Sequence, residues 1–174
     1  MGDREVWASA AFEILKEVAQ RYHAVIEYGE LGEEIQHRTR VSTRMGIQNW
    51  IGPVLGKVLR RCVAEGVPPL TSLVVRKHTG MVGEGYDEVL VAMGVTPLQD
   101  TMERERHAAE SRLRCYQWAD AHDLPADGGE PALAPRLAEN VSRERRRQAA
   151  QEPPRQCPNC HYTLPMTGMC DNCE

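Results

Sequence analysis

Apolar side chains recur at spacings of three and four along residues 6–22, where Trp7, Ala11, Ile14, Leu15, Val18 and Tyr22 define one stripe. That is the period of an amphipathic helix. A short apolar stretch, Ala24-Val25-Ile26, follows, and the run from Tyr28 to Ile35 reads as a short second helix, with a turn over 38–46. A third helix is expected from about Gln48 to Glu65, with Ile51, Leu55, Val58, Leu59 and Cys62 on its apolar face. Pro53 is compatible with a start near Asn49, because the first helical N–H groups have no intrahelical partner to lose. Gly66, with Pro68 and Pro69 beyond it, marks the stop. The β-branched run Leu70–Val75, a turn over Arg76–Gly80 and the segment Met81–Gly83 then predict a β-hairpin. Three helices followed by a hairpin is the order of a winged helix-turn-helix.

A long amphipathic helix is expected over 97–121, with Thr96 as cap, Pro97 at the first helical position and Gln99 closing a capping box. Its seam is Leu98, Met102, Ala109, Leu113 and Tyr116. It can pack on its own domain or serve as a dimer interface. Residues 123–135 read as a linker, 136–150 as a charged helix or tail, and Pro153-Pro154 as the separator from a terminal module. The expected organisation is a winged-helix-like domain over 1–95, a long helix over 96–122, a linker with a charged helix over 123–156, and a cysteine module over 157–174. The fold class is mainly α with a small β-hairpin.

Composition changes this picture in two respects. With 41% hydrophobic residues but 5% aromatics, the core is expected to consist of Ile, Leu, Val and Ala. No apolar run approaches the ~20 residues that span a bilayer, and no apolar signal-peptide core follows the N-terminus, so a soluble, cytoplasmic protein is expected. The net charge of −4 hides a local asymmetry, because no acidic residue lies between Glu34 and Glu65. That block carries Arg38, Arg40, Arg44, Lys57, Arg60 and Arg61. Such a block can line a nucleic-acid groove, with Arg and Lys meeting phosphates while Gln48 and Asn49 reach base edges. Arg76 and Lys77, at the hairpin tip, would add wing contacts to the backbone.

The strongest chemical signal lies at the C-terminus. Cys157-Pro-Asn-Cys160 and Cys170-Asp-Asn-Cys173 are two C-x₂-C pairs nine residues apart. Zinc takes four thiolates in a tetrahedron, and a two-residue gap lets both sulfurs of a pair turn to one point. Four protein ligands leave no position for water, so one structural Zn²⁺ is expected, in a zinc ribbon or knuckle. An iron site of rubredoxin type uses similar pairs, and four accidental cysteines are the remaining reading. A segment this short has no core of its own, so the metal must supply its folding energy. Cys62 and Cys115, isolated in helices, read as buried small hydrophobes, and His78 and His107 as exposed.

The run Tyr28-Gly29-Glu30-Leu31, the stretch Ile51-Gly52-Pro53-Val54-Leu55-Gly56 and the segment Thr79-Gly80-Met81-Val82-Gly83-Glu84-Gly85-Tyr86 together resemble the winged helix-turn-helix of the alkylguanine-DNA alkyltransferases and alkyltransferase-like proteins. The resemblance covers roughly residues 22–90. It implies DNA binding, with Tyr28 at the base-flipping position. The family's Pro-Cys-His-Arg motif would fall near Val74-Val75-Arg76-Lys77, where there is no cysteine. Alkyl transfer needs that thiolate, so binding without repair chemistry is implied. The family's Arg finger would fall near Gln48, Asn49 or Trp50, and none of these is Arg; Trp50 reads either as core or partner surface or as a stacking surface there. No phosphate loop, nucleophile elbow or metal-hydrolase motif occurs. The expectation is a non-enzymatic protein binding duplex DNA, such as a regulator of a bacterium or phage. The alternative is a protein-interaction factor that docks on a partner complex.

Overall fold

The computed structural model describes residues 2–151, 156–164, 169, 170 and 173. These fall into two compact units, residues 1–138 and 139–174. The fold is mainly helical, with six α-helices among the described residues: α1 (Asp3–Ala19), α2 (Tyr28–Thr39), α3 (Ile51–Glu65), α4 (Tyr86–Ala92), α5 (Thr101–Trp118) and α6 (Pro135–Gln151). No helix among the described residues is long and apolar enough to cross a membrane.

The apolar stripe of α1 is the centre of the first unit. Trp7, Ala11, Phe12, Ile14, Leu15 and Val18 are buried against α2 and α3. In α3, Ile51, Val54, Leu55, Val58, Leu59 and Cys62 are buried, and Gly66 ends the helix in the left-handed conformation at φ 68° that a residue without Cβ adopts at no steric cost. The helix begins at Ile51 rather than Gln48, because Ile47–Asn49 form a separate 3₁₀ turn. Trp50, between the two, is 1% exposed. Its ring lies 4.7 Å from that of Trp7, and Trp7 Nε1 donates to the carbonyl of Val41 at 3.0 Å.

The expected hairpin over 70–83 is replaced by a different pairing. Leu70–Leu73 form a 3₁₀ turn, and Val74–Val75 (β2) pair in parallel with Ile26–Glu27 (β1). A parallel pair needs a long crossover, which α2 and α3 supply. Arg76 then turns tightly, its N–H donating to Met81 O at 2.8 Å while Gly80 N–H donates to Arg76 O at 2.8 Å. Gly80 sits at φ 70°, and a Cβ there would come within 2.6 Å of the Leu137 backbone nitrogen.

The start of the long helix also differs. It is capped by Asp100, whose carboxylate accepts the Glu103 N–H at 2.8 Å, and not by Thr96. Thr96–Gln99 lie upstream because α4 occupies Tyr86–Ala92 and closes through Gly94 at φ 73° and a Val95 N–H to Leu90 O bond of 2.8 Å. Asp100→Ala is therefore expected to destabilise the first unit by about 1 kcal/mol, whereas Thr96→Ala leaves it unchanged. Urea unfolding of the two variants checks this.

Helix α5 buries Ala108, Ala109, Cys115 and Tyr116, and Tyr116 Oη donates to Ala24 O at 2.7 Å. A second apolar cluster joins Leu59, Val82, Tyr86, Val89, Leu90 and Ala108. Residues 123–134 contain no helix or strand. Tyr22 nevertheless pins them, its hydroxyl donating to Glu130 O at 3.0 Å and accepting from Glu130 N at 2.9 Å.

Candidate functional site

The cysteine module is built from a local turn. Cys157 N–H donates to Tyr162 O at 2.8 Å, His161 N–H returns to Cys157 O at 2.9 Å, and Gln156 and Thr163 form an antiparallel bridge across it. His161 takes φ 59° to complete the reversal. Cys170 and Cys173 close a second turn, with Cys173 N–H donating to Cys170 O at 3.3 Å. The four sulfurs lie within 4.8 Å of one another, with Cys157 and Cys173 at 3.7 Å and Cys160 and Cys170 at 3.4 Å. Four sulfurs bound to zinc at ~2.3 Å lie about 3.8 Å apart along the edges of a tetrahedron, so the group can hold one metal ion. The backbone N–H groups of Cys160 and Asn159 lower the Cys157 thiol pKa, while the neighbouring sulfurs push that of Cys173 up to about 12: without a cation, the four close sulfurs do not all ionise together. His161 adjoins the set and is not part of it. Two acidic residues of this segment, Asp171 and Glu174, lie outside the described residues.

A second feature lies in the first unit. A cavity of about 360 Å³ is walled by Tyr28 at the start of α2, by Gln48, Ile51, Gly52, Leu55 and Gly56 around the start of α3, by Val74 and Arg76, and by the Val82–Tyr86 segment. Glycines at two of the four walls allow close approach: a Cβ at Gly83 would collide with the Tyr28 hydroxyl, and one at Gly56 would approach Glu88 Oε2 to 3.2 Å. Thr71 also lines the cavity, and its Oγ1 is buried with no hydrogen-bond partner in the protein. Burial raises the pKa of the Tyr28 hydroxyl and pushes that of Tyr86 up to about 12, so both stay neutral hydrogen-bonding groups.

The Val82–Asp87 wall is held by α5. Arg104 Nη2 donates to Gly83 O at 3.0 Å and Glu84 O at 2.9 Å, and its Nη1 pairs with Asp87 at 3.0 Å. Glu105, 1% exposed, accepts the Val82 N–H at 2.8 Å, and its burial raises the carboxyl pKa despite that bond. Tyr86 Oη lies 2.8 Å from His107 Nδ1. His107 is thus half-buried and partnered, and not the exposed histidine expected; burial lowers its pKa. None of these α5 residues was legible as part of a site, although charged residues in phase with Ala108, Ala109, Cys115 and Tyr116 are a signal of polar groups turned inward.

The candidate nucleic-acid residues divide by their partners. Arg38 makes a bidentate contact to Glu17 at 2.6 and 2.7 Å and a third bond to Glu34 at 2.6 Å. Lys57 pairs with Glu5. Arg61 bonds Glu65 at 2.6 Å and lies 3.6 Å over the Phe12 ring. Arg76 is 3.6 Å from Glu84. Arg40, Arg44, Arg60 and Lys77 are exposed, and among the described residues none of them has a carboxylate in ion-pairing range. Gln48 and Asn49 are exposed on the 3₁₀ turn. Cys62 and Cys115 are buried, and burial pushes the Cys115 thiol up to about 12. Compared with known proteins, the chain matches no family model, no curated protein and no solved structure.

Proposed function

We propose that the chain is a non-enzymatic DNA-binding protein whose C-terminal unit is organised by one structural zinc. One observation carries the reading. The three segments that resemble the alkyltransferase-like proteins, far apart in the chain, supply the walls of one cavity, and Val74 and Arg76 line it where that family's reactive cysteine would stand. Its volume lies at the small end of ligand pockets, ~300–1,000 Å³. Apolar walls with a few polar groups at Tyr28, Gln48, Thr71, Arg76, Glu84, Tyr86 and Glu88 suit one flat, uncharged heteroaromatic ring, such as an unpaired base. No thiol is available there for alkyl transfer. The zinc assignment rests on four thiolates converging with no place left for water.

The partners of the basic residues set which contacts matter. Arg40, Arg44, Arg60 and Lys77 meet phosphates, while Arg38 is already neutralised by two carboxylates. With random duplex DNA, affinity falls with salt at a log–log slope of ~−0.9 per phosphate contacted. Arg44→Ala and Arg60→Ala each reduce that slope by about one, and Arg38→Ala changes it little. Gln48→Ala or Asn49→Ala shifts sequence preference instead, since amide side chains read adenine edges. Binding without salt dependence, or equal effects at Arg38 and Arg44, would sink the reading.

A protein-docking role has one observation in its favour. Val63 and Val91 are 60% and 67% exposed and line, with Leu59 and Ala92, an open apolar surface. On that reading the Arg44 and Arg60 variants keep whatever weak DNA binding exists, and Val91→Lys releases a protein partner.

A further inference from the structure

The second unit carries positive charge that no tertiary contact uses. Every residue of α6 from Ser142 to Ala150 is exposed. A helical segment with every side chain in water gains nothing from packing and has those side chains free for a partner. Residues 139–151 contain four arginines, Arg143, Arg145, Arg146 and Arg147, against two glutamates, Glu139 and Glu144. Arg143, Arg146 and Arg147 share one face by their spacing of three and four. Glu144 is 3.7 Å from Arg147 Nε and accepts from Gln148 at 3.1 Å. An exposed pair of that kind is weak and screened by salt, so it yields readily to a phosphate. All four basic groups are guanidinium forks, which match phosphate oxygens two at a time.

An independent observation comes from the metal module of the same unit. Tyr162 is 67% exposed, although its backbone is fixed by the Cys157 N–H bond of 2.8 Å. An aromatic ring left in water on a fixed backbone can serve as a stacking platform for a base. Stacking needs a base whose face is not already covered by its neighbours in a duplex. The exposed part of α6 has no apolar residue larger than Ala beyond Val141, so it lacks the apolar face by which a helix enters a membrane surface.

We infer that the second unit binds single-stranded nucleic acid, with the exposed Arg143, Arg146 and Arg147 holding phosphates and the exposed Tyr162 stacking on an unpaired base. The inference deepens the nucleic-acid reading but uses a surface separate from the cavity of the first unit. The test uses the zinc-loaded full chain, a fluorescent oligothymidine, the corresponding duplex and phosphatidylserine vesicles. The chain is expected to bind oligothymidine. R143A/R146A/R147A should weaken that binding at least tenfold at low salt and reduce the log–log slope by about two, at ~0.7 per phosphate on a single strand. Tyr162→Ala should weaken it about fivefold or more with the slope unchanged, and Tyr162→Phe should restore it. Arg44→Ala and Arg60→Ala should leave it unaffected. Zinc content and helical signal check that each variant is folded. Unchanged affinity and slope in the triple variant, an unaffected Tyr162→Ala, or preference for the vesicles would overturn the inference. Loss of duplex binding by the Arg44 and Arg60 variants, with the α6 variants indifferent on both nucleic acids, would overturn it while leaving the proposed function standing. The reverse pattern would do the opposite.

Discussion

Chelating the metal from the zinc-loaded protein unfolds the cysteine module and leaves the first unit folded. Among the described residues of 156–173, Cys157 is the one buried side chain. Without metal, a few backbone bonds and one buried thiol among the described residues are too little to offset the conformational entropy of ordering the segment, ~1–2 kcal/mol per residue for the backbone alone. Zinc binding by four thiolates supplies an apparent ~10–16 kcal/mol near neutral pH, and in such a module that is the folding free energy. The first unit has its own core around α1, and none of the four ligands belongs to it. Cys157→Ser or Cys170→Ser should reproduce the effect of the chelator. Amide NMR signals of residues 156–173 should collapse to the random-coil region on chelation, while the thermal transition of the first unit stays in place. A cysteine module that keeps its dispersed signals without metal, or a first unit that melts with it, would contradict this account.

Trp50→Ala should destabilise the first unit by ~3–5 kcal/mol, the cost of removing a large aromatic from a packed interior. Against a typical domain stability of ~5–15 kcal/mol, that is a large fraction. Trp50 is 1% exposed and packs against the Trp7 ring, tilted by 47° with centroids 4.7 Å apart, and a Cβ at Gly32 would collide with Ile47 and lie 3.3 Å from the Trp50 ring. Trp50→Phe keeps part of the packing and should cost less. Denaturant unfolding reads the difference directly. If Trp50 instead served as an outward stacking surface for a base, the alanine variant would retain its stability and lose nucleic-acid binding.

The two expectations for Trp50 show where legibility stops. A tryptophan at the entrance of a helix has the same sequence signal whether it faces solvent or another ring. Only the position of Trp7, 43 residues earlier, decides. The basic block behaves likewise. The absence of acids between Glu34 and Glu65 is visible in the chain, but Glu17 and Glu5 reach Arg38 and Lys57 from α1. The expected hairpin failed for the same reason. Val74 and Val75 read as strand residues and are strand residues, but their partner is Ile26–Glu27, and a β-branched run does not name its partner. Helix α4 escaped notice because seven residues make barely two turns, and its Val89-Leu90-Val91 run fits a strand as well as a helix.

The convergence of the four cysteines and the helices α1, α2 and α3 were legible in the sequence alone, because each depends on forces acting over a few residues. Two-residue gaps aim paired sulfurs at one point, spacings of three and four gather an apolar stripe, and Gly66 takes a left-handed turn. The cavity between Tyr28, Gly52 and Gly83, the clamp of Arg104 and Glu105 on its wall, and the division of the arginines into paired and unpaired were decided by the tertiary structure. Each of these joins residues that meet only once the core around α1 has formed. The free energy that holds them depends on distances between elements, which no local pattern encodes.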